Sequence, residues 1–380
     1  MALPLIRSTS TTAMHDARPA CVHEAGFTVA EMLIAMTIML IIAGAAFQLA
    51  SPANGRFASQ PEAADMQQRM RVATDALDKD LVMAGAGTYS GAIAGTLLNF
   101  FAPITPYRVG AIASDPGLSF FVDKLTIMYV PNTASQTTVR DPMPQPSSEI
   151  KVNQEPGCPV ADPLCGFHEG MRCVIFDDTG AFDVFTITEV QSDALHLQHR
   201  PPNPDFSKKY DPAENARIAQ VESHVYWVDH TTNQLKHYDG WLNDTPLVDN
   251  VVALEVQYFG DPAPPTMPKP KPGNANCLYD AAGTALLPTL PATSGSLVPL
   301  PAAMLTDGPV CGVAPNQFDA DLYRVRKVSV RLRMQAASPS LRGQDPLLFT
   351  NPGTAVGGNT FVPDFELSFE VAPRNMNLTR

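Results

Sequence analysis

The chain has few charges. Charged residues make up 17% of its 380 positions, and acids outnumber bases for a formal net charge of -12. A nucleic-acid binder usually presents a basic face, so no nucleic acid is expected as a partner. The sequence also lacks the short strings that carry common chemistry: no Walker A loop, no HExxH and no GxSxG. No catalytic residue is therefore assigned, no cofactor is expected, and the chain does not read as an enzyme. Cysteine is sparse at six, with no C-x2-C pair to suggest zinc. No metal site is expected, and Cys158, Cys165 and Cys173 make a poor zinc set. Asp177-Asp178-Thr179-Gly180 reads as an acidic turn rather than a calcium loop. His196, His199, His224, His230 and His237 read as surface histidines. The Gly-rich Pro352–Asn359 reads as a loop.

Proline, by contrast, is plentiful at 36 residues. It concentrates in Pro131–Pro163, Pro201–Pro212, Pro262–Pro272 and Pro288–Pro315, which cannot be helix interiors or central strands. The 45% hydrophobic content is that of a globular chain.

The informative stretch is Phe27–Ala50, 24 residues with Glu31 as its single charge. The length fits a membrane-spanning helix, which needs about 20 apolar residues. A secretory signal peptide would have a shorter apolar region, and a plain anchor gives no reason for Glu31. A carboxylate in an apolar helix costs roughly 2–3 kcal/mol or more. If the chain is cut between Gly26 and Phe27, the new amine lies one turn from Glu31. The Phe27 amine of a neighbouring subunit can then neutralise this Glu31 and set the axial register. Gly26 lacks a Cβ, which lets a protease approach the backbone.

Gly26-Phe27-Thr28-Val29-Ala30-Glu31 resembles the prepilin cleavage motif of type IV pilins and type II secretion pseudopilins. The resemblance implies that a prepilin peptidase cuts after Gly26 and N-methylates Phe27, and that Glu31 acts in assembly. The leader, residues 1–26, is long and weakly basic, with Arg7 and Arg18 against Asp16 and Glu24, and Met14 is an alternative start. The resemblance also implies as partners the peptidase, other minor and major pilins, an inner-membrane assembly platform and the lipid bilayer. It places a single-pass chain in the inner membrane with a periplasmic head, and in the pilus after assembly.

Ser51-Pro52-Ala53-Asn54-Gly55 is expected to kink or break the helix. Met66, Met70, Ala73, Leu77, Leu81 and Ala84 then follow helical spacing, so Glu62–Ala84 reads as an amphipathic helix stopped by Gly85 and Gly87. Period-two patterns follow. They mark Phe120–Val130, Arg172–Phe176, Ala181–Val190, Ala194–His199, a hairpin of Ser223–Val228 with Gln234–Tyr238, Leu247–Phe259, Tyr323–Gln335 and Phe361–Ala372. The expected organisation is a leader (1–26), a pilus-core or membrane helix (27–50), a linker with an amphipathic helix (51–87), and a β-rich head (88–380). The fold class is α+β: a long N-terminal helix, an amphipathic helix, and an antiparallel head with Pro-rich loops. Basic residues at Arg324, Arg326, Lys327, Arg331 and Arg333 read as a solvated strand face.

Gln68-Arg69, Lys79-Asp80-Leu81 and Gly85-Ala86-Gly87 are similar to the region after the anchor in PilW-family minor pilins. So are Leu247–Val251, Glu255–Tyr258, Val325–Arg333 and Ala372–Asn375. The mature chain would have 380 − 26 = 354 residues, large for a major pilin. In that family, minor subunits form a complex that primes pilus assembly, with the tip as one location. The alternatives are a J-like type II secretion pseudopilin and a membrane-anchored periplasmic enzyme or binding protein.

Five cysteines lie beyond the leader, which carries Cys21. A head outside the inner membrane is in an oxidising place. A Cys277–Cys311 bridge would close the large Pro-rich insert, worth about 3–4 kcal/mol on the loop model. Cys158–Cys165 would close a small loop and leave Cys173 free and buried; Cys165–Cys173 is the rival pairing.

Overall fold

The computed structural model describes residues 26–88, 91, 94–132, 135–200, 205–293, 295–356 and 361–378, with side chains outside 49–56, 58 and 200. Most of the leader, with Cys21 and Met14, and part of the Gly-rich 352–359 stretch lie outside the described residues. The chain divides into two compact units at Gly55/Arg56.

The expected interruption at Ser51–Gly55 does not end the helix. One helical run, Val29–Met83, contains both the apolar and the amphipathic stretches. Proline costs a helix its i−4 hydrogen bond, but does not always terminate it. The boundary between the two units falls at this same place.

In the first unit, the apolar residues of the helix are uncovered: Met32, Leu33, Ile34, Met39 and Ile41 are all exposed. In the second unit the helix is half covered. Met66, Met70, Ala73, Leu77, Leu81 and Ala84 are each buried to 2% exposure or less. All but Met66 join the main core, with Leu125, Ile127, Leu254, Val256, Val330 and Leu332. Met66 packs in a small satellite with Ala336 and Val362. Gly85, just past the helix, has φ +72, where side chains are disfavoured. A Cβ there would also meet Met376 Cγ at 2.9 Å.

Among the described residues the strands form antiparallel sheets. The first runs Ile104–Thr105, Lys124–Tyr129, Glu222–Asp229, Gln234–Tyr238, Asp244–Asp249 in spatial order. The second runs Val298–Leu300, Val251–Gly260, Val325–Met334, Phe365–Val371. A six-stranded sheet, which includes Arg172–Phe176, Phe182–Gln191 and His196–Arg200, contributes Ile175, Phe185 and Leu197 to a second core. The fold is α+β.

Three expectations change. Leu247–Phe259 is not one strand: Asn250, at φ +62, separates Asp244–Asp249 from Val251–Gly260, and the two lie in different sheets. Asparagine tolerates the left-handed conformation, so the chain can turn a corner there. Lys124–Tyr129 does not alternate, because Leu125 through Tyr129 are all buried. The hydroxyl of Thr126 is satisfied by donating to the Tyr107 carbonyl at 2.6 Å. Nor are the basic residues of 324–333 all solvated, and the first of them lies in a 3-10 turn, Ala320–Arg324, just before the strand Val325–Met334. Arg324 is completely buried. It pairs with Asp321 and donates to the carbonyls of Pro262 and Ala263, each at 2.9 Å, and of Pro288 at 2.6 Å. A proline-rich insert has few backbone donors of its own, and this guanidinium supplies five. Lys327, Arg331 and Arg333 do meet acids on neighbouring strands or loops: Glu370, Glu255 and Asp364.

Cys158 is bonded to Cys165 and Cys277 to Cys311, with Cα separations of 5.6 and 5.1 Å. Cys173 is a free, buried thiol, and burial raises its pKa.

Candidate functional site

The N-terminal site is built on the first turn of the helix. Thr28 precedes the first helical residue, and its carbonyl accepts the first helical hydrogen bond, from Met32 at 3.1 Å. That makes Thr28 the N-cap. Its hydroxyl accepts from the Glu31 amide at 3.3 Å. In return, Glu31 Oε2 accepts from the Thr28 amide and the Thr28 hydroxyl, both at 2.9 Å. This is a reciprocal capping box, Thr-x-x-Glu, and it satisfies donors that a helix start leaves unpaired. The Thr28-x-x-Glu31 spacing signals it in the sequence, but an argument from Glu31's charge alone passes over it.

Around this cap the chain is open. Phe27 is 87% exposed. Among the described residues, a Cβ built on Gly26 would meet nothing within 4 Å. The next helical stretch, Val29–Gln48, is long and apolar enough to cross a membrane, and none of it is buried. Gly26, Phe27 and Glu31 thus lie together at the head of an uncovered apolar helix.

Comparison with protein families decides what kind of start this is. Residues 22–47 match the prokaryotic N-terminal methylation motif. No curated protein and no solved structure matches the chain. The motif supports a type IV pilin-like or pseudopilin-like protein, structural in kind. It implies processing by prepilin peptidase and association with other pilins. Together with the apolar helix, it fits a membrane-anchored pilin.

The head holds a second constellation. Asp80 projects from the amphipathic half of the helix and is buried. Tyr129, His224 and Tyr226 come from adjacent strands of the five-stranded sheet, and His237 from the next strand. Strand alternation puts His224 and Tyr226 on one face, and hairpin register puts His237 opposite Tyr226. Tyr226 donates to Asp80 Oδ2 at 2.6 Å and Tyr129 to Asp80 Oδ1 at 3.3 Å. His224 Nδ1 lies 3.3 Å from Asp80 Oδ2 and 2.8 Å from His237 Nε2. His224 Nε2 lies 3.1 Å from the Tyr129 hydroxyl.

His224 and His237 are therefore not surface histidines; the His224 side chain keeps 18% exposure. His230, beside Asp123, is exposed. Burial lowers the pKa of both His224 and His237, against the pull of Asp80. Burial, then Asp80, raises the pKa of Tyr129 and Tyr226, which remain donors. The hairpin is legible in the sequence, but Asp80 lies 144 positions before His224 (224 − 80) and nothing local ties them together.

The acidic turn is held by cations of the chain. Asp177 meets Lys208 at 2.7 Å and Asp178 meets Arg217 at 2.7 Å.

Proposed function

We propose that this chain is a minor pilin of the PilW kind, cut between Gly26 and Phe27, N-methylated on Phe27, and packed into a type IV pilus through Glu31. The carrying observation is the match of residues 22–47 to the methylation motif at the head of an uncovered apolar helix. Before assembly the bilayer covers those apolar faces. In the fibre, helices of other pilins replace the lipid. On cleavage, Phe27 becomes an ammonium one residue before the cap. The Glu31 carboxylate is then available to the ammonium of an adjoining subunit, and the pair lowers the cost of both charges in an apolar setting.

A mature length of 354 residues (380 − 26) favours a subunit used in few copies over one repeated along the shaft. Such a subunit joins other minor pilins on the inner-membrane assembly platform and helps initiate the fibre.

Substituting Glu31 separates its cap from its charge. Glutamine keeps the capping box, since Thr-x-x-Gln serves equally, but loses the charge. The account expects Glu31→Gln and Glu31→Ala both to be inserted and cleaved, and both to be missing from sheared pili. Normal incorporation of Glu31→Gln would remove the charge-pairing role. Loss of protein export with intact pili would instead assign the chain to a type II secretion pseudopilus.

A further inference from the structure

We infer that Asp80, His224 and His237 form a binding site for a divalent transition-metal ion, zinc by ligand chemistry, that ties the helix to the β-hairpin of the head. The inference stands apart from the pilin reading, since none of these residues lies near the N-terminal site in the chain.

Three donor atoms converge. One ligand atom each from Asp80, His224 and His237 lies within 4.8 Å of the other two. Two of the edges are 3.3 and 2.8 Å. Zinc bonds of about 2.0–2.1 Å in tetrahedral geometry place ligand atoms about 3.3 Å apart. One of these two edges equals that spacing and the other is about 0.5 Å shorter, and a tetrahedral ion held by three protein ligands keeps a fourth position for water.

The surrounding hydrogen bonds are those that a metal site requires. A metal-bound imidazole usually donates its other N–H to a fixed acceptor, and a bound carboxylate is itself hydrogen-bonded. Here His224 Nε2 meets the Tyr129 hydroxyl at 3.1 Å, and both Asp80 oxygens accept from tyrosines. Two imidazoles and one carboxylate suit zinc among the common divalent ions; calcium and magnesium prefer oxygen alone. Partial exposure of His224 provides an entry path.

The test uses the full-length chain in detergent, stripped with EDTA and dialysed, then titrated with Zn²⁺ against a competing chelator. The wild-type chain is expected to take up one equivalent and to melt higher when loaded. His237→Ala should weaken binding by about 100-fold or more, and Tyr226→Phe by about 10- to 100-fold. His230→Ala, outside the triangle, should bind as the wild type does. X-ray absorption at the zinc edge of the loaded wild-type chain needs no variant, and should show two imidazoles with oxygen. Wild-type binding no tighter than that of His237→Ala, equal loss in His230→Ala, or a sulfur shell around the zinc would overturn the site.

Discussion

Glu31 and Asp80 are carboxylates on one helical run, Val29–Met83, and they are handled in opposite ways. Glu31 is exposed, bonded within its own first turn, and followed by apolar side chains that the chain does not cover. Asp80 is buried, and its partners come from two strands of the head. The head completes its half of the helix with side chains of its own. The N-terminal half is an unfinished surface that needs lipid or other subunits. The proposed pilin role rests on that difference more than on the presence of a helix, with one half left open for assembly and the other built into the fold.

The contrast is broken most directly through apolar residues. Leu77→Ala, in the main core, should destabilise the head by about 2–5 kcal/mol. Leu33→Ala, 59% exposed, should leave head stability unchanged in urea titrations. Equal costs at the two sites would dissolve the distinction.

Asp319 sharpens the buried side. It accepts from the amides of Gly308 and Asp321 at 2.6 and 2.8 Å, yet burial outweighs those bonds and raises its pKa to about 6. A raised carboxylate stabilises the fold below its unfolded pKa. That contribution is lost as pH climbs from about 4 through about 6, at most about 3 kcal/mol. Urea titrations across this window should show the loss in wild type and a flatter profile in Asp319→Asn.

The two acids themselves should diverge next. Asp80→Asn sets an amide against two tyrosine donors, and should lower head stability by about 1–3 kcal/mol. Glu31→Gln should not change it. The smallest effect belongs to the cap: Thr28→Ala should cost about 1 kcal/mol of local helix stability, read as fraying of the first turn by circular dichroism in detergent.

Much of this was legible because it is local. Helical spacing alone picks out Met66 through Ala84, and every member of that stripe is buried. Period two locates Arg172–Phe176 to the residue and the 222–238 hairpin to within one. What escapes is set by distant partners. Asn250 divides a stretch that reads as one strand because its two halves join different sheets. Arg324 looks like one of several surface bases until the 261–288 insert folds over it. His224 and His237 gain their meaning only when the helix brings Asp80 onto their face of the sheet. At the N-terminus the cleavage motif is legible at once, because its chemistry is carried by consecutive residues.

The most direct test of the central claim is mass spectrometry of the protein purified from its native membrane or fibre. The account predicts a mature chain that begins at Phe27, carries a methyl group on that amine and lacks residues 1–26. An intact leader, or a start at any other residue, would contradict it.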